Sequence, residues 1–247
     1  MINRIILVLF CSCLLSCDGL NPFENEGEYT EKVYETGKIL NVKNDNYFRI
    51  VFVEDDSDYL ILKAGENKIK TCEVRNEDGV LSINHSYKNK LRNYDLIVAE
   101  VHSSNLNTIT INAPAEISSE GTLEKESLYI DVTSNAELVE LNLKLKLESM
   151  RFHAHGSVSG GFRLSGTCNK ATYTMNGITN ILATDLQCQE VSIAQNGIGD
   201  AHVWSEQSLD VTIYNSGDIY YKGSPEIRVE YIQVNNQNAT GKVMPEK

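Results

Sequence analysis

Residues 209–225 read LDVTIYNSGDIYYKGSP. Apolar side chains alternate through Leu209, Val211 and Ile213, stop at the polar break Asn215-Ser216-Gly217, and resume at Ile219 and Tyr221. A period of two marks a strand with one buried face. The break marks a corner, where glycine supplies backbone angles that a side chain would forbid.

The same unit recurs upstream. Ile111, Ile130, Phe152, Tyr173, Ile193 and Ile213 follow one another at spacings of 19, 22, 21, 20 and 20, each four residues before a small residue: Ala115, Ser134, Gly156, Gly177, Gly197 and Gly217. Two residues before each, Ile109, Leu128, Met150, Ala171, Val191 and Val211 keep the same register. Helix-pair repeats need about 33 residues or more, so a period near 20 with internal alternation predicts stacked strands, one turn of a β-solenoid per repeat. Stacking turns about 4.8 Å apart satisfies each strand's backbone groups and lines the inward side chains into columns. Ile181, Ala201 and Tyr221, again 20 apart, extend the register onto the side after the corner. The alternative reading of the glycines is a set of unrelated hairpin turns in a β-sandwich.

Upstream of Asn105 the period is lost. Strand-like runs at 47–53, 59–62, 69–74, 80–83 and 96–101 are separated by turn-rich stretches such as EDDSD and NEDG. They predict antiparallel hairpins over residues 38–104 that cap the first turn, since an exposed strand edge invites aggregation. Solenoid turns are expected over 105–234, with a last strand at 227–234 and a polar tail over 235–247.

The chain has 247 residues, of which 41% are hydrophobic, enough for a packed core. With 22 basic and 34 acidic residues the net charge is -12, which disfavours nucleic acid as a partner because phosphate binding needs a basic footprint. The N-terminus, MINRIILVLFCSCLLSC, has one positive charge at Arg4 and then an apolar run from Ile5 to Leu15. That run is short of the ~20 residues of a spanning helix and is expected to be an export signal. Its end, Leu14-Leu15-Ser16-Cys17, resembles a bacterial lipoprotein signal. The resemblance implies a signal peptide over residues 1–16 and lipidation of Cys17 by acyl chains such as palmitate. Leu15 stands where a smaller residue is usual. Cys13 is the weaker candidate, and ordinary secretory cleavage is the alternative. Residues 17–37 are acidic and are expected to be a solvated tether. Acids soon after the cysteine also resemble the surface-export signal of Bacteroidetes-type lipoproteins.

Three segments, NKIKTCEVRNEDGVLSI, YDLIVAEVHSSNLNTITINAPAEI and SGDIYYKGSPEI, resemble the auto-transporter adhesin family with the head GIN domain, over roughly residues 38–230. The resemblance implies a right-handed parallel β-helix. It implies no established activity, the adhesin name itself being an inference from fold.

No phosphate-binding glycine loop, HExxH or G-x-S-x-G elbow is present. The outward positions are expected to be Thr110, Tyr129, Arg151, Thr172, Ser192 and Thr212, with Asp131, His153, Thr174, Ala194 and Tyr214 beside them. One acid and one arginine do not make the site of a β-helix polysaccharide lyase, so no catalytic residue is expected. His153 and His155 share a strand face, and the register brings Asp131 beside His153. Such a set could bind zinc, but no fourth group is apparent, and the expectation is a solvated pair without metal or other cofactor. Cys168 and Cys188 lie one turn apart, within disulfide reach, although parallel stacking aims their side chains the same way. They are a possible disulfide or a reduced apolar pair. Cys72 is expected in the core. Trp204, Tyr214, Tyr220 and Tyr221 either stack on sugar rings or cover the solenoid's end, with Tyr221 inward and Tyr220 outward.

These features lead to one expectation: an envelope protein, lipid-anchored to the outer membrane, whose β-helix is an adhesive or ligand-binding scaffold without catalysis. Its partners would be the membrane, through the N-terminal lipid, and a glycan or envelope protein. The alternatives are a lyase-like carbohydrate-active enzyme and a structural or signalling envelope component.

Overall fold

A computed structural model describes residues 26–87 and 95–246; the signal peptide and Cys17 lie outside the described residues. The chain is an all-β solenoid of about seven turns with a repeat of roughly 21 residues and antiparallel strands at its N-terminal end. Five long strands form its body: β9 (Ala115–Val132), β10 (Leu138–Ala154), β11 (Ser159–Met175), β12 (Ile178–Gln195) and β13 (Ala201–Ile213). Each pairs in parallel with the next.

The alternation inside a long strand explains how it turns corners. In β10, Val139, Leu141, Leu143, Leu145 and Leu147 are buried, and then Met150, Phe152 and Ala154. The inward phase slips by one residue at Glu148-Ser149, where the strand bends without losing its ladder. Register irregularities at Asn142/Lys144, Arg163/Ser165 and Ala183/Gln187 are comparable extra-residue adjustments. Inward columns then dry together: Phe152 meets Phe162 edge-on with ring centroids 4.7 Å apart, and Tyr173 is fully buried beside them.

The columns differ from the expected ones at both ends. Ile130, Phe152, Tyr173 and Ile193 are in-register neighbours, but Ile130 pairs back to Ile109, not Ile111, and Ile193 pairs on to Val211, not Ile213. Likewise Ala201 pairs with Ile219 rather than Tyr221. The steps from Ile109 through Ile130, Phe152, Tyr173, Ile193 and Val211 to Val229 are 21, 22, 21, 20, 18 and 18 residues. The later turns are shorter. A two-residue offset leaves the same face inward, which is why alternation alone does not detect it.

The N-terminal part is also more solenoidal than hairpins predict. Its strands are β1 (Tyr29–Glu35), β2 (Asn41–Asn44), β3 (Phe48–Val53), β4 (Tyr59–Gly65), β5 (Cys72–Glu77), β6 (Val80–His85), β7 (Val98–His102) and β8 (Thr108–Ile111), with one helical turn, α1 (Glu66–Ile69). The antiparallel pairs are β1–β4, β4–β7 and β5–β6. By contrast β2 lies parallel between β6 and β8, and β3 lies parallel between β7 and β9. The turn formed first in the chain is thus inserted beneath a later one, and the parallel stack begins well before residue 105. Within the segment expected to be tether, β1 is a strand, though largely exposed. At the far end β14 (Ile219–Lys222) and β15 (Glu226–Tyr231) pair with β13, and the tail returns as β16 (Val243–Pro245) on β14.

Polar side chains brace the corners. Gln195 points inward between Met175 and Ile213 and is fully buried, yet its amide is satisfied by the corner itself: Nε2 donates to Gly199 O (2.7 Å) and Oε1 accepts from Gly197 N (3.0 Å). Asn180, Asp200 and Asp218 each accept the backbone N–H one turn further on, from Asp200, Asp218 and Lys242. Near the N-terminal end the almost buried Lys125 ammonium bonds Glu54 (2.5 Å) and the carbonyl oxygens of Ser103 and Ser104.

Candidate functional site

Once the inward columns are fixed, the outward ones follow. On the stack that continues from β8, one outward column runs Thr108, Tyr129, Arg151, Thr172, Ser192 and Asp210, and the next runs Thr110, Asp131, His153, Thr174, Ala194 and Thr212. This corrects the expected grouping by the same two residues: Thr108, not Thr110, flanks Tyr129, and Asp210, not Thr212, follows Ser192. Tyr214 lies past the end of β13. A shallow groove of about 410 Å³ crosses the face between Thr108, Ser127, Tyr129, Arg151, Lys170 and Thr172.

At the corner end of this face the structure brings together Asp131, His153 and His155, whose ligating atoms lie within 4.8 Å of one another. His153 and His155 alternate with inward Ala154, and their rings sit 3.7 Å apart, tilted by 32°. Asp131 is the in-register neighbour of His153. Its Oδ1 accepts a hydrogen bond from the Tyr129 hydroxyl (2.9 Å) and lies 2.8 Å from His155 Nε2. The Arg151 guanidinium is 6.0 Å from the centre of the Tyr129 ring.

Electrostatics limit what this group can do. Partial burial, then the neighbouring His155 and Arg151, hold the His153 imidazole below the usual histidine range against the opposing pull of Asp131. His153 is therefore neutral at neutral pH. Burial and the bond to Asp131 push the Tyr129 phenol up, so it stays protonated and is no ready base.

A second, larger groove of about 670 Å³ runs along a neighbouring side of the solenoid between Glu124, Glu126, Lys146, Glu148, Thr167 and Gln187. Glu124, Lys146, Thr167 and Gln187 stand side by side on four successive turns, and Lys146 pairs with Glu124 at 2.9 Å. Sequence reasoning missed this ladder. Its trace is the spacing of 22, 21 and 20 residues, hidden because each residue differs in chemistry.

Beneath this groove Cys168 and Cys188 are direct neighbours in the ladder, and both are free thiols. The Cys168 partner and burial push the Cys188 thiol far up, whereas the adjacent Cys188 holds Cys168 down. Each thiol donates to a backbone carbonyl of its own strand, Cys168 to Lys170 O at 3.3 Å and Cys188 to Leu186 O at 3.5 Å. Cys72 is half-buried against the core, its thiol pushed up by burial to about 11.

The four aromatics do not form one platform. Trp204 is covered by the Lys222 ammonium, 3.7 Å from the ring centre, and donates Nε1–H to Glu206. Tyr220 stacks on His202 on the other strand stack, with ring centroids 4.6 Å apart. Tyr221 packs against the core, the inward position that alternation predicts.

The family model described as "Putative auto-transporter adhesin, head GIN domain" matches residues 41–225. Among solved structures the chain is similar to a "putative adhesin" from Bacteroides fragilis (TM-score 0.74, 20% identity, 89% of this chain and 97% of that one). It is also similar to a "putative adhesin" from Parabacteroides merdae (TM-score 0.62, 20% identity, 90% and 97%) and a "putative lipid binding protein" from Parabacteroides distasonis (TM-score 0.61, 19% identity, 90% and 98%). No curated protein matches the chain. At these identities the solved structures share the fold, while the family model spans most of the chain. The chain thus belongs to the family described as "Putative auto-transporter adhesin, head GIN domain".

Proposed function

We propose that this protein is a cell-envelope binding scaffold, exported and held on the outer membrane by a lipid on Cys17, that retains a glycan or an envelope protein without transforming it. The observation carrying this reading is the outward face of the solenoid. Thr108, Tyr129, Arg151, Thr172 and Ser192 stand on consecutive turns at strand spacing, each able to hydrogen-bond or stack against one extended ligand. Contacts of this kind are individually weak. Many copies on one membrane would strengthen them by avidity. The adhesin names of the solved relatives are consistent with this role. Anchoring in this reading falls to the acylated cysteine, and stable residence takes more than one chain.

The test is a glycan-array and pull-down screen of the purified protein, with product analysis on every glycan bound. Binding without cleaved or unsaturated products is expected, as is loss of membrane fractionation on Cys17→Ser. A lyase-like reading would use Asp131, Arg151 and the neighbouring imidazoles. Turnover of an acidic polysaccharide abolished by Asp131→Asn or Arg151→Ala would establish it instead. A folded protein that binds nothing would point to a structural or signalling role.

A further inference from the structure

We propose that Asp131, His153 and His155 bind a divalent transition-metal ion, zinc being the best match to the ligand set. Two imidazoles with one carboxylate suit zinc, copper or nickel, whereas magnesium and calcium prefer oxygen alone. The backbone supplies the geometry: His153 stands near the end of β10 with Asp131 of β9 in register beside it, and His155 follows just past the strand end, its N–H bonded to Val132 O at 2.9 Å. Both strands lie in the body of the solenoid, with parallel neighbours on either side, so the Cα positions of Asp131 and His153 are fixed by the ladder. Bonds of about 2.0–2.1 Å in a tetrahedron require ligand atoms roughly 3.4 Å apart. From the present limit of 4.8 Å the ligand atoms would have to close by roughly 1.4 Å at most. Tyr129 donates to Asp131 Oδ1, an outer-shell bond that orients the carboxylate and leaves Oδ2 for the ion. All three ligands are partly exposed, so the fourth position opens outward to water or to a group on a bound partner. The cysteines are not part of the set, since Cys168 and Cys188 are buried under another side and Cys72 lies in the N-terminal region.

Zinc titrated calorimetrically into the purified full-length protein at neutral pH should show one saturable site, and cobalt at the same site a visible absorption band. His153→Ala/His155→Ala should abolish both, and Tyr129→Phe should weaken zinc about tenfold while leaving all three ligands in place. Should the double variant fail to fold, His155→Gln, an outward single change, carries the same expectation of greatly weakened binding. Absence of a saturable site in the wild type overturns the proposal, and so does binding that persists unchanged in a folded histidine variant.

An independent observation at the C-terminal end supports a second inference. β15 continues the inward columns, with Ile227, Val229 and Tyr231 beside Leu209, Val211 and Ile213, yet these three are 37%, 38% and 55% exposed. Among the described residues β15 pairs with β13 alone, so its other edge is open. We infer that this edge pairs with the same strand of a second copy, antiparallel about a twofold axis at Val229. In that register Val229 meets the partner's Val229 and Ile227 meets the partner's Tyr231 on the inward face. On the outward face Arg228 meets the partner's Glu230, twice by symmetry. The nearest registers that keep the same faces set Arg228 or Glu230 against its own mate, and like charges directly opposed are destabilising. Among the described residues Arg228 is bonded to exposed Glu226 alone, at 3.0 Å, a contact that readily exchanges. Sedimentation of the purified protein over a concentration series should show a monomer–dimer equilibrium. Val229→Lys should abolish the dimer, Arg228→Glu should weaken it, and Arg228→Glu/Glu230→Arg should restore it. A monomer at every concentration, or a dimer indifferent to Val229→Lys, overturns the inference.

Discussion

Phe152→Ala lowers stability by about 4 kcal/mol, which for a chain of this size is a fall of roughly 12 °C in melting temperature. Phe152 is fully buried and touches inward rings on the next turn, Phe162 edge-on and Tyr173 tilted, with its ladder neighbours Ile130 and Tyr173 fixed on either side. Neither neighbouring turn can collapse into the void, because each is tied by its own backbone bonds to the turn beyond. The cost therefore combines lost transfer energy with a cavity that stays open. Ile227→Ala in the terminal turn is the control. It belongs to the same kind of column, but with no turn of its own chain beyond it the residue is already 37% exposed, and at concentrations where the protein is monomeric the loss should be about 1 kcal/mol or less. The two melts measured side by side check the assignment. Equal shifts would mean that Phe152 does not lie in a closed column.

The contrast between those residues also marks what the sequence could reveal. Between Ile109 and Gln195 the inward columns are legible because alternation fixes the face and the repeat fixes the neighbour. The candidate metal ligands are legible for the same reason: an i, i+2 pair at the end of one strand and an acid one turn earlier. Ile111 and Ile213 were misplaced because sliding a strand by two residues exchanges one buried aliphatic for another, and only the backbone ladder distinguishes the alternatives. The N-terminal turn was hidden by topology. Phe48–Val53 finds its partners at 98–102 and 115–120, so its neighbours in sequence are not its neighbours in the stack, and short strands joined by EDDSD resemble hairpins. The groove at Glu124, Lys146, Thr167 and Gln187 was missed because outward residues carry no hydrophobic signal. Gln195 is the opposite case, a polar residue at an inward position whose justification, the Gly197–Gly199 corner, becomes visible only when the corner is built.

Gly197→Val is the second large effect, a loss of roughly 3 kcal/mol, or a melting temperature lower by about 10 °C. The corner glycines suggest a uniform explanation by left-handed backbone angles, but the structure divides them. Gly156 and Gly177 do adopt positive φ, at 58° and 63°, whereas Gly197 and Gly217 do not. What Gly197 cannot accept is volume. A Cβ there would lie 2.5 Å from the Gly177 carbonyl oxygen and 3.0 Å from the Asn176 carbonyl carbon, both backbone atoms of the preceding turn. That carbonyl also accepts the Ile198 N–H at 2.9 Å, so it cannot swing aside without breaking the ladder. The corner would have to lift, and Gln195, buried inside it, would lose the Gly197 N–H that its Oε1 accepts. Gly197→Ala already brings the clashing atom and should cost most of the loss, with valine adding little. Were strain in φ the cause, Gly197→Asn would be tolerated, since asparagine enters the left-handed region readily. Close approach predicts that asparagine is as damaging as alanine. Thermal melts of the three variants separate the two causes, and outward Thr212→Ser, which touches neither backbone nor core, should melt with the wild type.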